Sequence, residues 1–416
     1  MIMERNILKD VLLMQNKIIV KPSIPRILLR KIVDYKKTPF IIIISGVRRC
    51  GKSVLMSQIR TKDCYYVNFD DERFINFSVN DFQMLYELLV ELFGEKDIFL
   101  FDEIQNIKGW ERFVRRLHNE QKKIYVTGSS ASMLSKELGT HLTGRNISLQ
   151  LYPFSFKEFL DLKKYRLGKL NNLTSIEKSK VRSIFTEYLK EGGFPEYLQT
   201  KKEEYLKNVY DNILYKDIIT RYKLTSEKPI KETVYFAVSN IGKEISFNTI
   251  KKLTGLTSAT TIKEYFEYLE NSYLVFLLSR YDSSLKKQAY YNKKVYFIDT
   301  GMARTIGFRM SDDKGRLLEN LVFLDLKRKN YEIYFHKETK ECDFIIRQGT
   351  KIISAIQVTC SLDENKDREI GGLLEALKCY NLKEGLILTL DDEGEIKKEG
   401  KKIIIKPVWK WMLENE

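Results

Sequence analysis

A predicted strand, a glycine-rich loop and a predicted helix follow one another between Phe40 and Ile59. The loop spells Gly46-Val47-Arg48-Arg49-Cys50-Gly51-Lys52-Ser53, which is the spacing G-x-x-x-x-G-K-S, and the apolar run Phe40–Ile44 precedes it. Glycines let successive backbone N–H groups point at phosphate oxygens, and the helix that follows adds its positive dipole end. The order of the three elements argues against a chance match in a glycine turn, so we predict a phosphate-binding loop.

Residues of this loop are the predicted contacts to a nucleotide. Lys52 would reach the β- and γ-phosphates, and the Ser53 hydroxyl would help to hold Mg²⁺. The predicted binding residues are Gly46, Val47, Arg48, Arg49, Cys50, Gly51, Lys52, Ser53 and Val54.

Two adjacent carboxylates, Asp102 and Glu103, follow the apolar run Ile98–Phe101. Neighbouring carboxylates at the end of a strand repel each other unless a cation balances them, and Mg²⁺ is such a cation. Asp102 is therefore predicted to bind Mg²⁺, and Glu103 is predicted to polarise the attacking water.

Further candidates lie at the end of the fourth predicted strand and just before the fifth. Ser129 or Ser130, in Thr127-Gly128-Ser129-Ser130, would hydrogen-bond the γ-phosphate or orient the water, and an ordinary helix cap is the alternative. Arg145, in Leu142-Thr143-Gly144-Arg145, would insert into the nucleotide site of a neighbouring subunit. The alternative is a structural arginine or one that acts on the site of its own chain. A homo-oligomer would then form through Arg145.

The charge of the chain is strongly positive. Lys and Arg number 71 against 56 Asp and Glu, which gives a net charge of +15. Such an excess favours polyanions, nucleic acid above all, although a lysine-rich composition alone produces the same excess. No apolar run reaches the ~18 residues that span a bilayer, and the N-terminus has charges where a signal peptide is apolar. We expect a cytoplasmic protein with no membrane partner.

Strands and helices alternate from Phe40 to Leu151, which predicts a parallel sheet with helices on both faces. The predicted strands are Ile41–Ser45, Tyr65–Phe69, Ile98–Phe101, Ile124–Thr127 and Ile147–Leu151. The predicted helices are Ser53–Arg60, Asn80–Leu92, Gly109–Asn119 and Ser132–Leu138. We expect four domains, which are a nucleotide-binding core at 1–152, a helical lid at 153–228, a winged-helix-like module at 229–300 and an α/β domain at 301–416. Gly192-Gly193-Phe194-Pro195 is predicted to be a turn that either places the lid or joins two helices.

The segment 245–300 has the pattern of a helix-turn-helix with two wing strands. Its predicted elements are the helices Phe247–Thr254 and Ser258–Asn271 and the strands Val275–Ser279 and Lys294–Ile298. The second helix has Lys263 against Glu264, Glu267 and Glu270, so a DNA contact would be made mainly to phosphates. The cations predicted to make it are Lys251, Lys252, Lys286, Lys287, Lys293 and Lys294. A packing module that never touches DNA is the alternative.

The chain resembles the AAA+ ATPases of archaea and bacteria that join an AAA core to a C-terminal nuclease-like domain of unknown function (DUF 4143 type). The matching segments are Gly46–Ser53, Phe101–Gln105 with Gly109-Trp110-Glu111, Thr127–Ser130, Leu142–Arg145, Tyr152–Phe156 with Glu158-Phe159, and Gly192–Pro195. The resemblance implies an α/β P-loop NTPase (AAA+) core with the lid, winged-helix and C-terminal α/β restriction-endonuclease-like modules. It also implies ATP and Mg²⁺ as cofactors, Glu103 as the catalytic carboxylate, a sensor at Ser129 or Ser130, and a finger at Arg145.

The last hundred residues resemble the nuclease-like fold of that family in a degenerate PD-(D/E)xK form. Glu319 lies on the predicted helix Gly315–Lys327, and Asp343 lies on the predicted strand Cys342–Arg347. Active nucleases have an acid, any residue and a lysine at the third position, where this chain has Gln357 and Thr359. Residues two apart on a strand share a face, but Gln357 lacks the charge and Thr359 cannot supply a cation. The degenerate site therefore comprises Glu319, Asp343, Gln357 and Thr359, and cleavage is not expected.

Together these patterns predict a Mg²⁺-dependent protein that binds and hydrolyses ATP and acts as a motor or switch on DNA. Two alternatives remain open at the level of sequence. One is an ATP-gated, metal-dependent nuclease, and the other is a nucleotide-driven protein switch that does not act on DNA.

Overall fold

The computed structural model describes residues 3–17, 22–129, 142, 144–307, 313–363 and 366–414. The chain forms two compact units, Met1–Tyr152 and Pro153–Glu416. Across the described residues, no helix combines the length and the apolar character needed to cross a bilayer.

The first unit is built on a five-stranded parallel sheet, as predicted. Its strands are β1 (Ile41–Ser45), β2 (Cys64–Asn68), β3 (Ile98–Asp102), β4 (Lys123–Gly128) and β5 (Asn146–Gln150), in the order β2-β3-β4-β1-β5. Its described helices are α1 (Arg5–Gln15), α2 (Leu28–Asp34), α3 (Lys52–Ile59), α4 (Phe82–Phe93) and α5 (Trp110–Asn119). Every strand pair is parallel, so the ends of β1, β3 and β4 lie on one edge of the sheet.

Burial explains why these segments form strands and helices. All five residues of β1 are buried, as expected for a strand covered on both faces of a parallel sheet. Helix α5 buries Trp110, Phe113, Val114 and Leu117, which share one face at the helical spacing.

One predicted helix begins later than expected. The prediction Asn80–Leu92 is wrong at its start, because Val79–Asp81 is a 3-10 turn and α4 begins at Phe82. Ser78 and Asp81 form a capping box there, which satisfies the backbone of this tight turn. The predicted helix Ser132–Leu138 lies outside the described residues.

The second unit starts with helices. They are α6 (Phe156–Leu162), α7 (Ser175–Glu191), α8 (Pro195–Thr200) and α9 (Glu203–Asn212), and α9 continues as a π-helix over Ile213–Thr220. The Gly192-Gly193 pair joins α7 to α8. A Cβ at Gly193 would lie 2.4 Å from the Phe154 carbonyl oxygen, so the backbone packs too closely there for a side chain.

A three-stranded antiparallel sheet with helices follows. The helices are α10 (Lys228–Ser239), α11 (Phe247–Thr254) and α12 (Ala259–Asn271), and the strands are β6 (Glu244–Ile245), β7 (Val275–Ser279) and β8 (Lys293–Phe297), in the order β6-β8-β7. A further short helix, α13 (Leu285–Tyr290), lies between β7 and β8. The sequence did not predict β6 or α13.

A six-stranded mixed sheet completes the second unit. Its strands are β9 (Glu332–Lys337), β10 (Glu341–Gln348), β11 (Lys351–Val358), β12 (Glu384–Thr389), β13 (Gly394–Lys398) and β14 (Lys401–Pro407), in the order β13-β14-β12-β11-β10-β9. The helices of this part are α14 (Thr300–Ile306), α15 (Lys314–Arg328), α16 (Lys366–Cys379) and α17 (Val408–Glu414). Asp343 lies on β10, Gln357 lies on β11, and Glu319 lies on α15.

Candidate nucleotide-binding site

The glycine-rich loop connects β1 to α3 in the first unit. Gly46 has φ +152°, and a Cβ added to it would lie 2.2 Å from the Leu151 carbonyl oxygen. Gly51 has φ +100° and caps the N-terminus of α3. Both glycines therefore hold conformations that a side chain would disfavour, and they let the backbone turn into the helix.

A buried arginine fixes the outer side of this loop. The Arg26 guanidinium donates to the carbonyl oxygens of Cys50 at 2.7 Å and of Tyr152 at 2.6 Å. Gln58 of α3 accepts from the Arg26 backbone N–H at 3.2 Å. The sequence analysis missed Arg26, because no local pattern predicts a contact between residues as far apart as Arg26 and Tyr152.

Lys52 is buried at the first position of α3 and turns back over the loop. Its ammonium donates to the carbonyl oxygens of Gly46 at 3.1 Å and Val47 at 3.3 Å, and it lies 3.6 Å from Oε1 of Glu103. Burial alone would lower the pKa of Lys52, but Glu103, Cys50 and Asp102 together outweigh burial, so the pKa is raised. The ammonium is therefore a fixed positive charge at the mouth of the loop.

Asp102, at the end of β3, is fully buried among hydroxyl donors. Thr127 donates its hydroxyl to Oδ1, and Tyr66 donates to Oδ2 at 3.0 Å. Burial raises the pKa of Asp102, while hydrogen bonds from Thr127, Ser53 and Tyr66 lower it, and the net direction is upward. A buried carboxylate beside the Ser53 hydroxyl is a donor set of hard oxygens, which suits Mg²⁺.

Glu103 holds a strained backbone at the same edge of the sheet. Its φ is +52°, in the left-handed region, which is uncommon for residues other than glycine. The backbone N–H of Glu103 donates to the Thr127 hydroxyl at 2.9 Å, so one threonine holds both acidic residues. Strain of this kind persists where the surrounding structure enforces it, and it is concentrated at functional sites.

Gln105 holds the Glu103 side chain from the other direction. Its amide nitrogen donates to Oε2 of Glu103, and the Gln105 side chain is itself buried. Burial raises the pKa of Glu103, but Lys52, Gln105 and Arg48 together lower it by more. The net pKa is below the ordinary value, so the carboxyl is held ionised. The sequence contains both Thr127 and Gln105 within the motifs we noted, but their position beside the carboxylates was not predicted.

The other predicted site residues are placed as follows. Val47 and Cys50 are buried, Arg48 is half-buried, and Arg49 and Val54 are exposed. Burial raises the pKa of the Cys50 thiol, which lies 3.4 Å from the Leu151 carbonyl oxygen.

Of the predicted sensor and finger residues, Ser129 lies at the loop end of the sheet, since Gly128 pairs with Ser45, whereas Arg145 lies at the opposite end. Ser129 is buried just after β4, and Ser130 lies outside the described residues. Arg145 precedes β5, beside Ile41 at the start of β1, and donates to Oδ1 of Asn119 at 2.9 Å. The loop follows the other end of β1, roughly 16 Å away at ~3.3 Å per strand residue. Arg145 therefore lies too far from the loop of its own chain to touch a phosphate there.

Comparison with known proteins shows the family. A family model described as an AAA domain matches residues 38–160, and a model described as a domain of unknown function (DUF8612) matches residues 182–313. Uncharacterized protein MJ1544 of Methanocaldococcus jannaschii is 37% identical over 400 residues, which cover 90% of this chain and 88% of that protein. The chain belongs to the MJ1544 family. Its AAA domain, predicted from the sequence, is confirmed.

Two further comparisons extend this finding. An uncharacterized protein of Haemophilus influenzae is 34% identical over 357 residues, which cover 81% of this chain and 86% of that protein. Among solved structures, a Walker-type ATPase of Pyrococcus abyssi has 15% identity and a TM-score of 0.42, over 70% of this chain and 99% of that chain. The matched model of unknown function is DUF8612, whereas the sequence resemblance pointed to the DUF 4143 type.

The residues predicted for the degenerate nuclease site come together in part. Asp343 accepts from the Val358 backbone N–H at 2.9 Å, and its own N–H donates to Oε1 of Gln357 at 3.2 Å. Glu319 accepts from the Tyr296 hydroxyl at 2.6 Å. Thr359 follows the last residue of β11 and donates to the Ser361 carbonyl oxygen at 3.0 Å.

One predicted DNA-contacting cation is misplaced. Lys294 is buried, with 1% of its side chain exposed, and it pairs with Asp343, Glu319 and Glu341. Consecutive residues of a strand face opposite sides, so Lys294 points into the protein while Lys293 stays partly exposed. Lys294 is therefore not available to a DNA phosphate.

Proposed function

We propose that this AAA+ protein binds ATP with Mg²⁺ in the first unit and hydrolyses it. The observation that carries the proposal is the convergence of Lys52, Asp102 and Glu103 at one edge of the parallel sheet. Lys52 would neutralise the β- and γ-phosphates, Ser53 and Asp102 would hold Mg²⁺, and Glu103 would orient the attacking water. The metal would supply charge neutralisation on the transferring phosphoryl group.

The state of the isolated site supports this assignment. The Lys52 ammonium donates to loop carbonyls and pairs with Glu103, so a γ-phosphate can exchange with a carbonyl acceptor without leaving the lysine unpaired. Burial raises the pKa of Asp102, and a Mg²⁺ bound beside it would favour the charged carboxylate.

The proposal is tested by separating binding from turnover. Lys52→Ala should lose binding of a fluorescent ATP analogue, because the fixed positive charge is gone. Glu103→Gln should keep binding and lose at least about a hundredfold in phosphate release. The matched controls are Lys62→Ala and Glu95→Gln, which change exposed residues of the same unit. Wild-type turnover by Glu103→Gln would contradict the role of that carboxylate.

We further propose that ATP turnover drives a switch on DNA through the winged-helix-like part of the second unit. Exposed cations lie on three helices there, at Lys252 of α11, Lys263 of α12, and Lys286 and Lys287 of α13. Tyr290, also on α13, is 81% exposed. Phosphate contacts from lysines, with an aromatic side chain beside them, suit binding with little sequence preference.

The salt dependence of DNA affinity tests the proposed binding to DNA. Replacing Lys286 and Lys287 by alanine should weaken binding of duplex DNA and reduce its salt dependence, because fewer counterions are released. The control replaces the exposed Lys383 and Lys397, which changes the net charge equally. Two results together would favour a protein switch that does not act on DNA. The ATPase rate would be unchanged by added DNA, and the Lys286/Lys287 variant and the Lys383/Lys397 control would bind DNA with equal affinity.

The finer division of the second unit is part of the same proposal. We assign a helical lid to 153–228, a winged-helix-like module to 229–300 and a degenerate nuclease-like domain to 301–416. Limited proteolysis with and without ATP would test the boundary near residue 228, where the chain is exposed, whereas residues 294–303 are buried and should resist cleavage.

A further inference from the structure

Three carboxylates of the second unit converge on one buried ammonium. Lys294 Nζ lies 2.8 Å from Oδ1 of Asp343, 2.8 Å from Oε1 of Glu341 and 3.1 Å from Oε1 of Glu319. The lysine comes from β8, whereas the carboxylates come from β10 and α15. We call this group the Lys294 cluster, and it lies in a cavity of about 660 Å³.

Other groups of the second unit lie beside the remaining carboxylate oxygens of the cluster. Oδ2 of Asp343 accepts from the Val358 N–H at 2.9 Å, and Oε2 of Glu341 lies 3.4 Å from Lys337 Nζ. On the outer side of Glu319, a Cβ at Gly242 would lie 2.7 Å from Oε2, so the backbone closes over that oxygen. Each of the three carboxylates is therefore bound by Lys294, and the remaining oxygens of Asp343 and Glu341 also have a partner from the same unit, while all three carboxylates line the cavity.

The distances fit an ammonium and not a divalent ion. Carboxylate oxygens at 2.8–3.1 Å match charge-assisted N–H···O bonds, and a lysine has three donors for the three acceptors. Mg²⁺ would require oxygens at about 2.1 Å, within the space that Nζ now fills. Among the described residues, no three His, Cys, Asp or Glu side chains are grouped to hold a metal ion.

Electrostatics hold the lysine in place. Burial would lower the pKa of Lys294, but Asp343, Glu319 and Glu341 raise it well above the ordinary value, so the ammonium stays charged. Burial and the Asp343 carboxylate raise the pKa of Glu319 to about 7, which reduces the negative charge left for another cation. Displacing Lys294 would leave a buried charge without a partner, which is strongly unfavourable.

We propose that Lys294 is a built-in cation that fills this carboxylate cluster and keeps it free of divalent metal, and that removing the lysine creates a metal site. In this cluster the Lys294 ammonium takes the place that a divalent metal ion has in a carboxylate metal centre. The second unit therefore does not cleave DNA by metal catalysis. The inference concerns the second unit alone and does not depend on ATP binding in the first.

The test measures Mn²⁺ binding by the full chain without nucleotide, using the electron paramagnetic resonance of free Mn²⁺. Wild type and Asp343→Asn should bind Mn²⁺ equally, because the cluster takes no metal in either. Lys294→Met should gain one site, at least about tenfold tighter than any wild-type site, and Lys294→Met with Asp343→Asn should lose it. Lys293→Met, on the same strand, should behave as wild type.

Two results would overturn the proposal. One is a wild-type Mn²⁺ site, or Mn²⁺-dependent DNA cleavage, that Asp343→Asn removes. The other is a folded Lys294→Met protein, verified by circular dichroism, that gains no Mn²⁺ site. If Lys294→Met does not fold, Lys294→Gln takes its place in the Mn²⁺ measurement, and the comparison of wild type with Asp343→Asn tests whether the natural cluster takes metal.

Discussion

The Lys52 ammonium and the Glu103 carboxylate lie 3.6 Å apart, one after β1 and the other after β3. Lys52 lowers the pKa of Glu103, and Glu103 raises that of Lys52, so each keeps the other charged. A γ-phosphate that draws the ammonium away would leave Glu103 with Gln105 as its neighbour donor. The carboxylate would then be ready to accept a hydrogen bond from water.

Gln105 should therefore act as a positioning residue for Glu103. Gln105→Ala removes a donor that lowers the pKa of Glu103, so that pKa rises and the acid limb of the ATPase profile moves to higher pH. Misplacement of the carboxylate should also reduce kcat by about tenfold to a hundredfold, with nucleotide affinity unchanged. Phosphate release measured from about pH 3.5 to pH 8 checks both effects, since the acid limb lies below the ordinary pKa of a glutamate.

A control separates this effect from general loss of structure. Gln83→Ala changes an exposed glutamine on α4 and should leave the pH profile in place. If Gln105→Ala reduces the rate equally at every pH, the hydrogen bond to Glu103 does not tune its protonation.

The sequence predicted the elements that follow local patterns and missed contacts that span the chain. The strand Ile41–Ser45 and the helix Phe247–Thr254 have the predicted bounds, because apolar periodicity and glycine positions determine them locally. Arg26 and Gln105 were missed, because their roles depend on which distant backbone or side chain folding places beside them.

The lysine pair at 293–294 shows a different limit. Because side chains alternate along β8, one of the two lysines faces solvent and the other faces the interior. The sequence does not show which of the two is buried. Only the placement of Asp343 and Glu319 around Nζ determines it. Thr359 supplies no cation, and the cation beside Asp343 and Glu319 is Lys294, which comes from another strand.

Arg26 should stabilise the first unit and its nucleotide site together. Arg26→Met leaves the carbonyl oxygens of Cys50 and Tyr152 without their charged donor, and each buried, unpaired acceptor costs about 1–3 kcal/mol. We expect a lower Tm and weaker binding of the ATP analogue, since the loop loses its outer support. Arg30→Met replaces an exposed arginine four residues away and should change neither. Unchanged Tm and affinity in Arg26→Met would show that the loop holds its shape alone.

Asp299 should make the stability of the second unit depend on pH. Burial raises its pKa from 3.8 to about 6, although the N–H groups of Gly193 and Met302 donate to it. Between these values the folded state holds a proton that the unfolded state has lost, so this group's contribution to stability falls as pH rises from about 4 to about 6. The unfolding free energy of wild type minus that of Asp299→Asn should fall by about 3 kcal/mol over this range and stay constant above it. Urea denaturation at each pH measures it, and a flat difference would place the Asp299 pKa near its ordinary value.

Arg145 should complete the nucleotide site of a second subunit. It lies at the opposite end of β1 from the loop, so a contact to phosphate has to come from another copy of the chain. Arg145→Ala should bind ATP and lose turnover, and Lys52→Ala should lose binding. A mixture of the two variants should recover part of the activity, because Lys52→Ala subunits supply Arg145 to the intact loops of their neighbours. The recovered rate should rise with total protein concentration, because the subunits have to assemble. A mixture of Arg145→Ala with the double variant Lys52→Ala/Arg145→Ala should recover no activity. If the complementary mixture stays inactive although wild type assembles, the bond from Arg145 to Asn119 is structural and the finger must be sought elsewhere.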